Sequence, residues 1–160
     1  MKNKGMLLEQ IINRTIAYYE RNNLALIEKK GLPIKFKSVK EDNKVESAFI
    51  YKKSTVDYIG CVNGMFTAFE AKTINGERLP NSNILKHQLE YLKKVYEMGG
   101  IAFFVIMFSH VDEFYLLGVN KFLNFDKKSW QYEEIKKTGY KVELTFPGII
   151  DFLPYLRNFW

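Results

Sequence analysis

The stretch Ser54 to Lys72, STVDYIGCVNGMFTAFEAK, decides the fold. Asn63-Gly64 is the dipeptide that a two-residue hairpin turn favours, because both of its central positions need positive φ. The flanking residues predict one strand from Thr55 to about Val62 and a second from Met65 to Lys72. Asp57 then stands near the start of the first strand, and Glu70 and Lys72 close the second. Side chains two apart on a strand share a face, so Glu70 and Lys72 project together while Phe69 and Ala71 turn away. A hairpin that brings two carboxylates together can hold a hard divalent cation such as magnesium, which takes oxygen ligands. A lysine beside them can orient a water or stabilise charge building on a phosphate.

Asp57 followed by Glu70-Ala71-Lys72 resembles the minimal signature of the PD-(D/E)xK nuclease superfamily. Three residues recur by chance in many chains. The plainer alternative is a solvated strand end with a surface Glu–Lys pair, which contributes little to stability. The neighbours count against it, since Phe66, Ala68 and Phe69 make the strand apolar and a carboxylate ending such a strand needs a partner.

The 160 residues are the length of one domain with a full core. The longest apolar run, Ile101 to Phe108, is strand-sized, far short of the roughly 18 residues of a membrane helix. No signal-peptide pattern follows the N-terminal lysines. The single cysteine, Cys61, excludes an intramolecular disulfide or a cysteine-rich zinc site, and its place predicts a buried strand residue. The expected compartment is the cytoplasm. The net charge of +6 favours a polyanionic partner, and its distribution says more than its size. Between Lys29 and Lys53 eight lysines stand against three acids, a net +5 immediately before the hairpin.

Upstream, Leu7, Leu8, Ile11, Ile12, Thr15, Tyr18 and Tyr19 recur at three- and four-residue steps, which predicts an amphipathic helix from Gly5 to Arg21. Leu24 to Glu28 reads as a short strand. Ile34–Lys37 and Ala48–Tyr51 read as two more around the polar stretch Lys40 to Lys44, a pattern that suits a projecting ribbon and equally an ordinary solvated loop. Downstream, Thr73 to Asn83 is expected to be a loop. Ser82 or Asn83 is expected to cap a helix that runs to Met98 and stops at Gly99-Gly100. Leu85, Leu89 and Leu92 form its apolar stripe, and Gln88 lies on or beside that face, either as a satisfied core amide or looking toward Glu70. Two strands follow, Ile101–Phe108 and Glu113–Gly118, then a helical turn at Asn120–Phe125. A polar loop is expected from Asp126 to Gly139, a last strand from Tyr140 to Phe146, and a terminal segment broken by Pro154. The order of elements predicts an α/β fold with a mixed central sheet flanked by helices.

Rival chemistries lack their residues. His87 and His110 have no metal-ligand spacing partner, Cys61 has no histidine at motif spacing, and there is no phosphate-binding glycine loop. The aromatics Tyr18, Tyr19, Phe103, Phe104 and Tyr115 fall on apolar faces and read as core.

An ordered series of segments is more specific than the triplet. NKGMLLEQIINRTIAYY (Asn3–Tyr19), IEKKGLPI (Ile27–Ile34), STVDYIG (Ser54–Gly60), FEAK (Phe69–Lys72), HQLEYLKKV (His87–Val95) and the FFVI…EFYLL strand pair together resemble the RecU family of bacterial Holliday-junction resolvases. That family is a branch of the PD-(D/E)xK nucleases. The resemblance implies a nuclease-like α/β domain spanning residues 1–160, with a basic stalk inserted at about 31–53. It implies a magnesium site, with manganese as a substitute, on Thr55, Asp57, Glu70 and Gln88. Asp57, Glu70 and Lys72 are then catalytic. Lys4, Lys29, Lys30, Lys35, Lys37 and Lys40 are expected to bind DNA, and Glu9 and Asn13 are secondary candidates lining the cleft. Four-way junction DNA, a second copy of the chain, and recombinase and branch-migration proteins are the implied partners, with no membrane. Two departures stand out: Lys4-Gly5 replaces the Arg-Gly frequent in the family, and the stalk is short and uses lysine for arginine. A nuclease of the superfamily acting on other DNA, and a non-catalytic junction-binding or strand-annealing protein, are the competing readings.

Overall fold

A computed structural model describes residues 4–123 and 126–159, the Lys4 side chain excepted. The chain opens with α1 (Lys4–Arg21) and β1 (Leu26–Lys29), followed by four two-residue strands, β2 (Ile34–Lys35), β3 (Ser38–Val39), β4 (Val45–Glu46) and β5 (Phe49–Ile50). The hairpin is β6 (Tyr58–Val62) and β7 (Met65–Ile74). After it come β8 (Arg78–Pro80), α2 (Lys86–Glu97), β9 (Ile101–Phe108) and β10 (Glu113–Gly118). α3 (Asn120–Leu123), β11 (Ser129–Gln131), α4 (Tyr132–Thr138) and β12 (Tyr140–Val142) follow. The hairpin β13 (Leu144–Thr145) and β14 (Ile149–Ile150) then leads into a terminal 3-10 helix, Leu153–Asn158. The expected turn at Asn120–Phe125 is α3 as far as Leu123; Asn124 and Phe125 lie outside the described residues.

Six strands make one mixed sheet in the order β1-β6-β7-β9-β10-β12. β7 and β9 run parallel, from Thr67 opposite Ile101 to Ile74 opposite Phe108, and the other neighbours are antiparallel. Parallel neighbours need a crossover, and α2 provides it. All of β9 is buried, as a central strand covered on both faces must be. On one face Leu8, Ile12 and Tyr19 of α1 pack on Phe69, Phe103 and Val105, with Phe152 and Phe159 of the terminal segment. On the other, Leu92 and Val95 of α2 pack on Ala68, Phe104 and Ile106. The Asn63-Gly64 turn has the expected geometry, with φ of 51° and 79°. Gly60 is also fixed by space: a Cβ there would lie 2.2 Å from the Leu26 carbonyl oxygen of β1.

Several boundaries differ from the expectation. β6 begins at Tyr58, so Thr55 and Asp57 precede the strand, and β7 runs two residues past Lys72. The segment 73–83 is not all loop, nor is 126–139, because β8 and β11 pair through Leu79 opposite Trp130, both buried, and α4 follows directly. The few apolar residues in each polar stretch show no periodicity to read. α2 starts at Lys86, and Ser82 and Asn83 instead belong to a short 3-10 turn. The Gln88 side chain, inside the helix, accepts the orphan Leu85 N–H at 3.3 Å, so no upstream cap is needed. The last strand ends at Val142 in the sheet, and Leu144–Thr145 turns into a separate hairpin. Cys61 is exposed, not buried. Its cross-strand partners Leu26 and Phe66 are exposed too, so that corner of the sheet is uncovered.

At the β10 edge the Glu113 carboxylate accepts from Tyr115 Oη at 2.6 Å, Tyr132 Oη at 2.5 Å and Lys141 Nζ at 2.8 Å. The Lys141 ammonium and then the two hydroxyls hold its pKa down from 4.5 to about 2. A folded-state pKa below the unfolded one gives stability that is full above about pH 4.5 and fades as pH falls toward 2. Glu113→Gln is expected to cost about 1 kcal/mol near neutral pH, after allowance for solvent screening at this edge. Urea unfolding across pH should show the mutant and wild-type midpoints converging as pH falls from 4.5 to 2; a constant gap would assign the loss to packing instead.

Candidate active site

Glu70 sits on the α2 face of β7, opposite Phe104, and is 2% exposed. An ionised carboxylate there survives only if its oxygens are satisfied. Its Oε1 accepts from Lys72 Nζ at 2.8 Å and from Gln88 Nε2 at 2.7 Å, and its Oε2 accepts from the Asp57 backbone N–H at 3.0 Å. The Asp57 Oδ2 in turn accepts from the Ala71 backbone N–H at 3.2 Å. Each acid is thus held by a backbone N–H of the other's segment. Lys72 Nζ also donates to Gln88 Oε1 at 3.1 Å, which closes the cluster. Burial, and then the nearby Asp57 charge, push the Glu70 pKa up to about 7 against the opposing pull of Lys72.

Gln88 comes to this cluster because the β7–α2–β9 crossover lays the first turn of α2 over β7. Spacing left it either in the core or facing Glu70, the family resemblance assigned it to the site, and the tertiary structure puts it on Glu70. Thr55, two residues before Asp57, takes a different partner: its Oγ1 is held by Lys30 Nζ at 2.6 Å. Lys30 also lies over the Tyr91 ring, 5.5 Å from its centroid, and its backbone N–H donates to the Asp57 carbonyl at 2.8 Å. It therefore braces the root of the insertion against the site. Sequence reading placed Lys30 only among surface DNA contacts, and no local pattern pointed to this bracing.

On the other side of Asp57, α1 and the sheet frame a cleft of about 400 Å³ lined by Glu9, Lys29, Asp57, Tyr58 and Thr73. Glu9 is ion-paired with Lys29 there. Asn13 accepts a hydrogen bond from Tyr58 Oη at 3.3 Å, so it steadies a buried tyrosine. Burial and the charges of Glu9, Asp57 and Glu70 raise that phenol's pKa. The remaining lysines lie on the insertion, a two-stranded ribbon in one register from Ile34 opposite Ile50 to Val39 opposite Val45. Lys35 stands over the Tyr51 ring at 4.8 Å and Lys40 pairs with Glu46 at 3.3 Å, while Lys37 donates its backbone N–H to Glu46. The Lys4 side chain lies outside the described residues.

Among the described residues no third His, Cys, Asp or Glu completes a metal cluster. The donors at hand are all oxygen, and they include two carboxylates whose mutual repulsion a cation relieves. Few protein ligands and hard oxygen donors suit a small divalent ion that keeps much of its water. The residues fit such an ion.

The mixed sheet with a crossover helix, carrying Asp57 ahead of Glu70-Ala71-Lys72, has the fold of PD-(D/E)xK nucleases. Archaeoglobus fulgidus Hjc, a Holliday junction resolvase from an archaeal hyperthermophile, matches with a TM-score of 0.52 over 83% of this chain and 94% of its own. At 10% identity that likeness speaks for the fold alone. The family model RecU, Recombination protein U, matches residues 3–158. A Holliday junction resolvase RecU of Mycoplasmopsis pulmonis is 45% identical over 157 residues, 98% of this chain and 96% of that protein. Another from Staphylococcus epidermidis is 35% identical over 162 residues, 94% of this chain and 78% of that protein. The chain belongs to the RecU family. No described helix is long and apolar enough to cross a membrane.

Proposed function

We propose that this chain is a magnesium-dependent, structure-selective endonuclease that resolves four-way DNA junctions by paired symmetric nicks. The observation that carries the reading is the hydrogen-bonded network of Asp57, Glu70, Lys72 and Gln88, built around a buried Glu70. The printed name of the 45% identical relative agrees with it.

Asp57 and Glu70 would hold the ion, with the Gln88 amide oxygen and the Thr55 hydroxyl as further oxygens, and manganese as a substitute. A divalent ion held there supplies a Lewis acid for the phosphate and acidifies water at its surface. The chain's own residues do the rest. Gln88 Nε2 fixes the Glu70 carboxylate, so the acid is oriented before substrate arrives. Lys72, whose ammonium lies on Glu70 and Gln88, offers it to the phosphate oxygens as negative charge grows on them, and its donors can hold the attacking water in line. Lys30 holds Thr55 in place from the root of the insertion. Lys4, Lys29, Lys30, Lys35, Lys37 and Lys40 supply sequence-independent phosphate affinity, which should fall steeply with salt.

In this reading residues 1–160 are one nuclease domain, and the insertion at 31–53 is a stalk that enters the junction. The protein acts in the cytoplasm as a homodimer, because a two-fold pair of sites matches two symmetric strands. Recombinase and branch-migration proteins are its further partners. The test is cleavage of a mobile four-way junction beside a linear duplex, with magnesium titrated from zero. Paired symmetric nicks in the junction alone are expected. Equal cutting of both substrates would leave a nuclease and remove the resolvase. Tight junction binding without cutting in magnesium or manganese would leave a binding protein on a nuclease fold.

A further inference from the structure

A groove of about 720 Å³ opens between the return strand of the ribbon and the first turn of α2, and Gln88 is among the residues that line it. Gln88 also touches Glu70 and Lys72, so one residue links the groove to the candidate active site. Its rim is basic. Lys53 stands on the ribbon side, and Lys86 and His87 stand on the helix side. The acid at this rim, Glu90, is 3.7 Å from Lys86 in an exposed pair that screening weakens. Its floor is apolar and open: Leu32, Ile50 and Leu85 are 63%, 61% and 47% exposed. An apolar floor under a cationic rim matches a nucleotide, whose base has an apolar face and whose phosphate carries the charge.

We infer that this groove takes an unstacked nucleotide of the strand being cut, next to the scissile phosphate. Its phosphate lies between Lys53, Lys86 and His87, and its base lies against Leu32, Ile50 and Leu85. The inference rests on the proposed junction cleavage and deepens it. A continuous duplex holds its bases stacked, whereas strands that exchange at a crossover can release one. The groove would thus convert a property of junctions into productive placement at Glu70 and Lys72. Duplex DNA would gain only the rim contacts.

The experiment uses the full chain, without added metal, on a four-way junction carrying 2-aminopurine at successive nucleotides beside the cut. Wild type is expected to raise the fluorescence at one of these nucleotides, reporting an unstacked base. Leu32→Ser with Ile50→Ser should abolish that rise and weaken junction binding by about tenfold, while leaving linear-duplex affinity within about twofold. Both side chains are exposed, and circular dichroism verifies the fold. Lys53→Ala should weaken both substrates and flatten the slope of log affinity against log salt by about 1, which a purely structural lysine would not do. An unchanged fluorescence rise in the serine variant overturns the groove while leaving junction resolution intact. The same holds if that variant instead alters the sedimentation of the free protein, which would make the floor a protein contact. Wild type that does not prefer the junction to the duplex overturns the proposed function, and the groove's role with it.

Discussion

Asp57→Asn is expected to lower junction cleavage by roughly 10³-fold while leaving junction binding as tight as wild type, or tighter. The substitution keeps the shape of the side chain and an oxygen for the Ala71 N–H, which Oδ2 accepts at 3.2 Å. It removes one of the two negative charges that would hold the proposed divalent ion. Removing that charge also relieves the repulsion that helps raise the Glu70 pKa, so Glu70 should ionise more readily in the variant. Folding should therefore not suffer. Gel-based cleavage and fluorescence anisotropy on the same junction separate the two effects. A variant that loses cutting and binding together would show Asp57 to be structural, and one that cuts within tenfold of wild type would remove it from the metal site.

Phe69→Ala should have the largest effect on stability, about 3–5 kcal/mol. Phe69 is fully buried and stacks on Tyr58 at 4.8 Å and on Phe103 at 4.9 Å, with Phe152 edge-on at 5.4 Å. These rings join β6, β7, β9 and the terminal segment beneath α1, so the cavity cannot close by moving one element. A typical domain has only about 5–15 kcal/mol in total, which makes such a loss close to unfolding. Phe69→Leu should cost far less, about 1.5 kcal/mol or below, and should retain cleavage at moderate temperature. The urea midpoint measures both. If Phe69→Ala lost less than about 1 kcal/mol, the α1 face would be more plastic than its packing implies. The comparison also bears on chemistry: Phe69 and Glu70 are consecutive residues on opposite faces of β7, so core and site share one strand.

The hairpin, the amphipathic first helix and the central strand were legible because each rests on a local rule. Asn63-Gly64 demands positive φ at both positions, α1 repeats at helical spacing, and β9 is apolar throughout. Glu70 and Lys72 share a face for the same reason, that strand geometry has a period of two. The pair β8–β11 was not legible, since Leu79 and Trp130 are isolated apolar residues in polar surroundings and acquire a role only when opposite each other. Cys61 misled for the converse reason. An apolar-looking strand position predicts burial only if something covers it, and none of the described residues buries the corner shared with Leu26 and Phe66.

By itself the sequence determined the α/β fold, the succession of its main elements, and the carboxylates and lysine on which a nuclease site can be built, each through local spacing. The tertiary structure alone decided what lies against them. It put Gln88 on Glu70 through a crossover helix, put Lys30 on Thr55 across 25 positions, and tied the terminal segment to α1 through Tyr19 Oη, which donates to Asp151 at 2.7 Å and accepts from the Phe152 N–H at 2.9 Å. These contacts join residues far apart in the chain. Local propensity carries no information about such pairs, because their energy exists only after the sheet has brought them together.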